Sequence, residues 1–159
     1  RKNAVIGSFL TFYREAVRQH IIFDPKLYEL IEYIKKSSGK KVGIVSDGTV
    51  IEQMEILTRL GIIHLLDSIS ISEEIGYEKP SIELFKKPGK ELGLPADAIL
   101  MIGDNYERDI IGAKNAGFRA ILVQKGYTSR NFQEKLVPDM IIKDISSLRL
   151  FLELTGKKD

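Results

Sequence analysis

Two aspartates near residue 105 are the residues whose type and spacing most directly suggest chemistry. The apolar residues 99–102 predict a buried strand that Gly103 ends, so Asp104 stands at the carboxyl end of that strand. Asp109 falls in the first turn of the helix that follows. Ligands bind at such junctions in open α/β sheets, and two carboxylates there can converge on a hard cation such as Mg2+. The alternative is that both acids only cap a turn and a helix N-terminus.

A serine stands at a second junction of the same kind. Ser46 follows an apolar strand over residues 42–45, and Asp47, Gly48 and Thr49 lead into the next predicted helix. A hydroxyl beside the free amides of a helix N-terminus can bind an anion, phosphate above all. A plain helix cap is the alternative interpretation.

A lysine stands at the third junction. Lys79 precedes Pro80 at the start of a helix, where the helix dipole favours anions, so a nearby carboxylate or phosphate explains it better than the dipole does. A solvated surface lysine is the alternative. If the three junctions share one edge of a parallel sheet, Ser46 and Lys79 can hold a phosphate beside a metal held by Asp104 and Asp109, which is an arrangement for phosphoryl transfer.

The elements that must position these residues alternate between strand and helix from residue 25 onward. This alternation predicts βα units on a mostly parallel sheet. Pro88 should kink or break the helix that contains it, and residues 72–78 should form a polar loop. The predicted strands are residues 41–45, Ser68–Ile71, residues 99–102, Arg119–Val123 and residues 139–142; the predicted helices are residues 4–19, 25–36, 50–59, 81–92, 109–115, 129–136 and 146–154.

Composition excludes several classes of function. The 159 residues fit one domain, with 43% hydrophobic and 29% charged residues. The net charge of +2 is small and the basic residues are scattered, which argues against a nucleic-acid partner. No apolar run approaches the length of a membrane span, and the absence of cysteine excludes disulfides, thiolate metal sites and a cysteine nucleophile. We therefore expect a cytoplasmic protein with no membrane partner.

Three stretches resemble the second, third and fourth motifs of the haloacid dehalogenase-like hydrolases. They are residues 44–48 (IVSDG), residues 78–85 (EKPSIELF) and residues 102–117 (IGDNYERDIIGAKNAG). The resemblance implies a three-layer, Rossmann-like α/β core with a mostly parallel sheet over residues 22–159. It also implies that residues 1–21 are the end of a helical cap domain.

The resemblance implies roles for the residues singled out above. Ser46 would bind the transferring phosphoryl oxygens, with help from backbone groups of Asp47 and Gly48. Lys79 would neutralise the phosphoryl group and the nucleophile. In the same way Asp104 and Asp109 would belong to a Mg2+ site, with Asp104 as the direct ligand.

One motif of the family is missing from the sequence. The family's first motif, an Asp-x-Asp pair after an apolar strand, supplies the nucleophile, and no such pair occurs in the 159 residues. We expect this chain alone to be inactive and the missing strand to lie between those that end at Ser46 and Asp104. An N-terminal segment, a separate fragment or a second copy would supply it; the alternative is that the two neighbouring strands close up directly.

Two functions from different classes follow. The first is a Mg2+-dependent phosphatase that acts on a small phosphorylated metabolite through an aspartyl-phosphate, with dehalogenation a less suitable chemistry for the metal-site acids. The second is a non-catalytic module that binds a phosphate ligand or a protein partner. A receiver-like domain is disfavoured because its acids would lie early in the chain, whereas here they lie late.

Overall fold

The computed structural model describes residue 15, residues 19–124 and residues 136–149. Nearly all of the helices predicted over residues 4–19 and 129–136 and the end of that over residues 146–154 lie outside the described residues, as does most of the expected cap segment. The described helices are α1 (Pro25–Ser38), α2 (Val50–Arg59), α3 (Ser72–Ile75), α4 (Ile82–Leu92) and α5 (Ile111–Asn115); the strands are β1 (Gly43–Ser46), β2 (Ser68–Ile71), β3 (Leu100–Gly103), β4 (Arg119–Val123) and β5 (Met140–Ile142). Within these parts of the chain, no helix has the length and apolar character needed to span a bilayer.

The strands form two separate parallel sheets. One sheet pairs β1 with β2, and the other has the order β3-β4-β5. Every strand pair is parallel, with Gly43 opposite Ser68 in the first sheet and Leu100 opposite Arg119 in the second. The predicted α/β class with a mostly parallel arrangement is therefore confirmed. The alternative in which β1 and β3 close up directly is wrong, because these two strands do not pair.

Helices cover both faces of the two sheets and make three layers. On one face α1 packs across both sheets, since Leu30 belongs to a cluster with Ile121 of β4 whereas Ile31 belongs to a cluster against which Ile44 of β1 packs. The opposite face carries α4 and α5 in the largest cluster, where Phe85 lies with Ala113. The core thus ties together two sheets that share no backbone hydrogen-bond ladder.

Local signals explain where the helices begin and end. Asp24 caps α1 by accepting hydrogen bonds from the N–H groups of Lys26 and Leu27, and Gly39 ends it in the left-handed conformation. Thr49 caps α2 by accepting from the N–H of Glu52. These boundaries were expected from the sequence because caps act within one turn of the chain.

Two local expectations need correction. Pro88 does not break its helix, because α4 runs continuously through it, and its buried ring lies on the same helix face as Leu84 and Leu92. Burial of that apolar face offsets the single hydrogen bond that proline cannot donate. Residues 72–78 are not all loop, because Ser72–Ile75 form one helical turn.

The burial of β3 also differs from expectation. The sequence predicts a fully buried strand, but all four residues of Leu100–Gly103 are only partly buried. Ile44, Val45 and Ser46 of β1 are likewise partly buried, whereas Ala120, Ile121 and Leu122 in β4 are fully buried. Because β1 and β3 each pair along only one edge within the described residues, the edges that face away from β2 and β4 lack the cover a neighbouring strand gives.

Candidate active site

A single π-helical turn, Tyr106–Ile110, lies between β3 and α5 and positions Asp109. The Asn105 side chain caps the turn by accepting from the N–H of Arg108 at 3.0 Å, and the Asn105 N–H donates to Asp109 Oδ2, also at 3.0 Å. A Cβ atom on Gly103 would stand only 2.5 Å from the same carboxylate oxygen. The glycine therefore leaves the space in which the carboxylate folds back against the end of the strand.

Lys79 and Asp109 form a nearly buried ion pair. Lys79 Nζ lies 2.7 Å from Asp109 Oδ1, and the exposed fractions of the two side chains are 16% and 6%. The expectation that a carboxylate lies close to Lys79 is confirmed. Both oxygens of Asp109 are engaged, one by the ammonium and one by the Asn105 N–H.

Asp47 joins the two halves of the site. Its Oδ1 accepts from the backbone N–H of Lys79 at 2.8 Å, and its Oδ2 pairs with the Arg108 guanidinium. Asp47 directly follows β1, and Arg108 lies in the turn after β3. The carboxyl ends of the two sheets are therefore joined by side chains. Sequence reasoning assigned only backbone groups of Asp47 to the site and missed Arg108 altogether.

The Ser46 hydroxyl is held by a residue that the sequence did not single out. Ser46 Oγ donates to Gln53 Oε1 at 2.8 Å, and Gln53 Nε2 donates to the backbone carbonyl of Asp47 at 3.2 Å. Gln53 lies in α2, and from the sequence its position indicates only a polar residue on a helix. No spacing rule in the sequence indicates that its amide turns back onto the strand end.

Side chains accept hydrogen bonds from two of the amides that were expected to bind an anion. The N–H of Gly48 donates to Ser72 Oγ at 3.0 Å, and the N–H of Val50 donates to Glu73 Oε2 at 2.8 Å. Both acceptors belong to α3, the helical turn that replaces the expected loop. An anion at Gly48 would therefore have to exchange with the Ser72 hydroxyl.

The two carboxylates, Asp104 and Asp109, supply only some of the ligands that a divalent cation requires. Asp104 is exposed just beyond β3, and no hydrogen bond or ion pair of its carboxylate is found among the described residues. Those residues include no cluster of three or more acidic, histidine or cysteine side chains arranged to hold a metal. Mg2+ commonly takes one or two carboxylates together with water and substrate phosphate, so Asp104 fits as one ligand. Asp109, with both oxygens engaged, fits a supporting role better.

Comparison with protein families gives a match over most of the chain. Residues 1–123 match the family model described as haloacid dehalogenase-like hydrolase. A glyceraldehyde 3-phosphate phosphatase from Methanothermobacter thermautotrophicus is 41% identical over 120 residues, which cover 74% of this chain and 53% of that protein. A phosphoserine phosphatase from Thermus thermophilus is 30% identical over 112 residues, covering 70% of this chain and 44% of that protein. The chain spans about half the length of these relatives.

Solved structures share the fold. A haloacid dehalogenase-type phosphatase from Thermococcus onnurineus superposes with a TM-score of 0.73 at 23% identity, covering 88% of this chain and 64% of that one. A 2-haloacid dehalogenase from Pseudomonas syringae superposes with a TM-score of 0.69 at 24% identity, covering 82% and 53%. At these identities the likeness is one of fold.

Proposed function

This chain belongs to the haloacid dehalogenase-like hydrolases, and on that premise we propose that it forms most of the core of a Mg2+-dependent phosphatase acting on a small phosphorylated metabolite. The observation that carries the proposal is the Lys79–Asp109 pair joined to Asp47. This network fixes an ammonium at the strand ends where Ser46 and Asp104 also stand. A fixed cation and a hydroxyl at these strand ends suit a phosphoryl group, whose negative charge is redistributed during transfer.

The side chains then have distinct roles. Ser46 and Lys79 bind the phosphoryl oxygens, with backbone groups of Asp47 and Gly48 beside them. Asp109 orients the Lys79 ammonium, because it holds the lysine at 2.7 Å while its other oxygen anchors the turn. This restraint keeps the cation in place before substrate arrives, so less reorganisation is needed during the reaction.

Asp104 is the residue we assign to the metal. An exposed carboxylate at the strand end suits a hard cation, and Mg2+ when bound supplies charge neutralisation and orientation of the phosphate. The same arrangement favours a phosphate ester over a haloacid, which offers the metal no phosphate oxygens. Phosphatase names among the relatives support this choice of substrate class.

The nucleophile of the proposed reaction lies outside the 159 residues. The two sheets support this part of the proposal, because β1 and β3 each have one edge with no strand partner in the described part of the chain, and both strands are only partly buried. Helix α1 packs on both sheets and so spans the interval between them. A parallel apolar strand between β1 and β3, from an N-terminal segment, a separate fragment or a second copy, would place an aspartate at its carboxyl end beside Ser46 and Lys79.

A kinetic comparison tests the proposal. The whole protein encoded by the gene should hydrolyse p-nitrophenyl phosphate, glyceraldehyde 3-phosphate or phosphoserine in the presence of Mg2+, whereas residues 1–159 alone should not. Ser46→Ala and Lys79→Met should each lower kcat on the order of 10²-fold. Lys86→Met is the matched control, because Lys86 lies exposed on α4 and pairs only with Glu83 among the described residues.

Two results would contradict the proposal. Hydrolysis by residues 1–159 alone would show that the nucleophile lies within them. Phosphate binding by the whole protein without hydrolysis of any phosphate ester would favour the second function, a phosphate-binding module. The engaged Lys79 ammonium is compatible with that module as well, so turnover is the measurement that separates the two.

A further inference from the structure

We propose that Gln53 is a positioning residue that fixes both the Ser46 hydroxyl and the turn that follows it. The inference rests on the proposed role of Ser46 in binding phosphate. It begins from two hydrogen bonds: Ser46 Oγ lies 2.8 Å from Gln53 Oε1, and Gln53 Nε2 lies 3.2 Å from the Asp47 carbonyl oxygen. The two ends of one side-chain amide are therefore hydrogen-bonded to two consecutive residues at the end of β1.

Hydrogen-bond chemistry fixes the orientation of this amide. A backbone carbonyl can only accept, so the end of Gln53 that faces Asp47 must be the NH2 group. The other end is then the carbonyl oxygen, which also can only accept. The single proton of the Ser46 hydroxyl therefore points at Gln53 Oε1, at 2.8 Å, rather than at the Asp47 carbonyl oxygen, which lies 3.5 Å from Ser46 Oγ, and the lone pairs of Ser46 remain for other partners.

Close packing strengthens the restraint. Gly48 has φ of +128°, and a Cβ atom there would stand 2.9 Å from Gln53 Nε2. The amide thus lies directly against the backbone of the turn, and a side chain at residue 48 would have to displace it. The positive φ favours glycine at that position, because other residues are strained there.

This arrangement determines which hydrogen bond must break when an anion binds. Ser46 can donate to a phosphoryl oxygen only by giving up its bond to Gln53, while the bond from Gln53 to Asp47 can persist. The turn therefore stays in place when the hydroxyl changes partner. Pre-organisation of this kind lowers the cost of ordering the site when a ligand arrives.

Two near-isosteric variants separate the two bonds. Gln53→Met removes both, and Gln53→Glu keeps an acceptor for Ser46 but cannot donate to the Asp47 carbonyl at neutral pH. The matched control is Glu55→Gln, a change of similar size on the same helix at a residue that pairs with Arg59. The measurements use residues 1–159, with inorganic phosphate as the probe.

The first measurement is the rotamer of Ser46, from three-bond Hα–Hβ couplings in NMR. A single staggered rotamer should be found in the wild type, in Glu55→Gln and in Gln53→Glu, and rotamer averaging in Gln53→Met. Hydrogen exchange at the Gly48 amide should be faster in both Gln53 variants than in the control. A single rotamer with unchanged Gly48 exchange in Gln53→Met would overturn the inference, and if that variant does not fold, unchanged Gly48 exchange in Gln53→Glu would do so.

The second measurement is the phosphate dissociation constant. It should rise in Gln53→Met by up to roughly tenfold, the worth of one neutral hydrogen bond, because the turn is no longer held by the bond from Gln53 to the Asp47 carbonyl and must be ordered when phosphate binds. The lost Ser46–Gln53 bond does not add to this rise, since phosphate binding breaks it in the wild type as well, and the constant should stay unchanged in Glu55→Gln. Ser46→Ala distinguishes the two proposals. If Ser46→Ala binds phosphate as well as the wild type, the proposed role of Ser46 fails, while the couplings and exchange rates still decide the role of Gln53.

Discussion

Replacing Asp109 with asparagine should destabilise the protein by about 3 kcal/mol. The substitution keeps the shape of the side chain but removes the charge that faces Lys79 Nζ at 2.7 Å. An asparagine offers one acceptor and one donor, so either the Lys79 ammonium or the Asn105 N–H loses its partner. Removal of one member of a buried pair costs roughly 3–5 kcal/mol, and the 16% exposure of Lys79 places this case at the lower end.

The assay is urea unfolding of residues 1–159 followed by circular dichroism. Glu83→Gln is the matched control, because Glu83 and Lys86 also form a close pair, at 2.5 Å, but their side chains are 42% and 59% exposed. An exposed pair of this spacing contributes about 0.2–0.5 kcal/mol. The same chemical change should therefore have effects that differ about sixfold or more, because Asp109 is buried and also accepts from the Asn105 N–H, whereas Glu83 is exposed.

A double variant tests the cause. If the cost of Asp109→Asn comes from a buried ammonium without a counter-charge, then Lys79→Met should recover at least about 1 kcal/mol in that background. Additive losses would show that the two side chains do not interact energetically. A loss in Asp109→Asn no greater than in Glu83→Gln would refute the view that this pair is a buried, tightly held unit.

Three further outcomes follow from individual contacts. The Lys35 ammonium, 2.6 Å away, holds the pKa of Asp67 below its ordinary value against the effect of partial burial, so this contribution to stability is present above about pH 4 and is lost as pH falls through the lowered pKa. Urea unfolding at pH 6 and pH 3 should show a smaller loss of stability on acidification for Asp67→Asn than for the wild type. Gly112→Ala should destabilise by about 1–3 kcal/mol in the same assay, since its Cβ would stand 2.6 Å from Phe85 Cζ. Gly89→Ala should stabilise the protein by about 0.5–1 kcal/mol, because the added Cβ makes only ordinary van der Waals contacts inside a helix. Lower stability of Gly89→Ala, or unchanged stability of Gly112→Ala, would contradict the packing described.

Sequence patterns predicted what depends on a few neighbouring residues. Asp24, Thr49 and Gly93 mark helix ends through contacts within one turn, and the structure has the ends at those residues. Alternation of strands and helices predicted parallel pairing, and the place of Lys79 at a helix N-terminus predicted a nearby carboxylate or phosphate, of which the structure has the carboxylate. In each case the governing contact is local or follows from strand direction.

The remaining features depend on tertiary neighbours. The continuity of α4 through Pro88 comes from burial of one helix face, which a propensity rule does not include. The partial exposure of β3 depends on which strands stand beside it. Gln53 is hydrogen-bonded to Ser46, and Arg108 to Asp47, through side chains that extend across turns. The spacing of residues in the sequence does not indicate which side chains make such contacts.

The division of the strands into two sheets has a mechanical consequence. Within one continuous sheet, backbone hydrogen bonds would fix the distance between the residues after β1 and those after β3. Among the described residues that distance is set by side-chain packing, of α1 on one face and α4 on the other, and by the contact between Asp47 and Arg108. Without the proposed strand between β1 and β3, a shift of one sheet against the other would move the Ser46 end relative to the Asp104 end without breaking a strand pair; with that strand in place, its backbone hydrogen bonds would fix the distance.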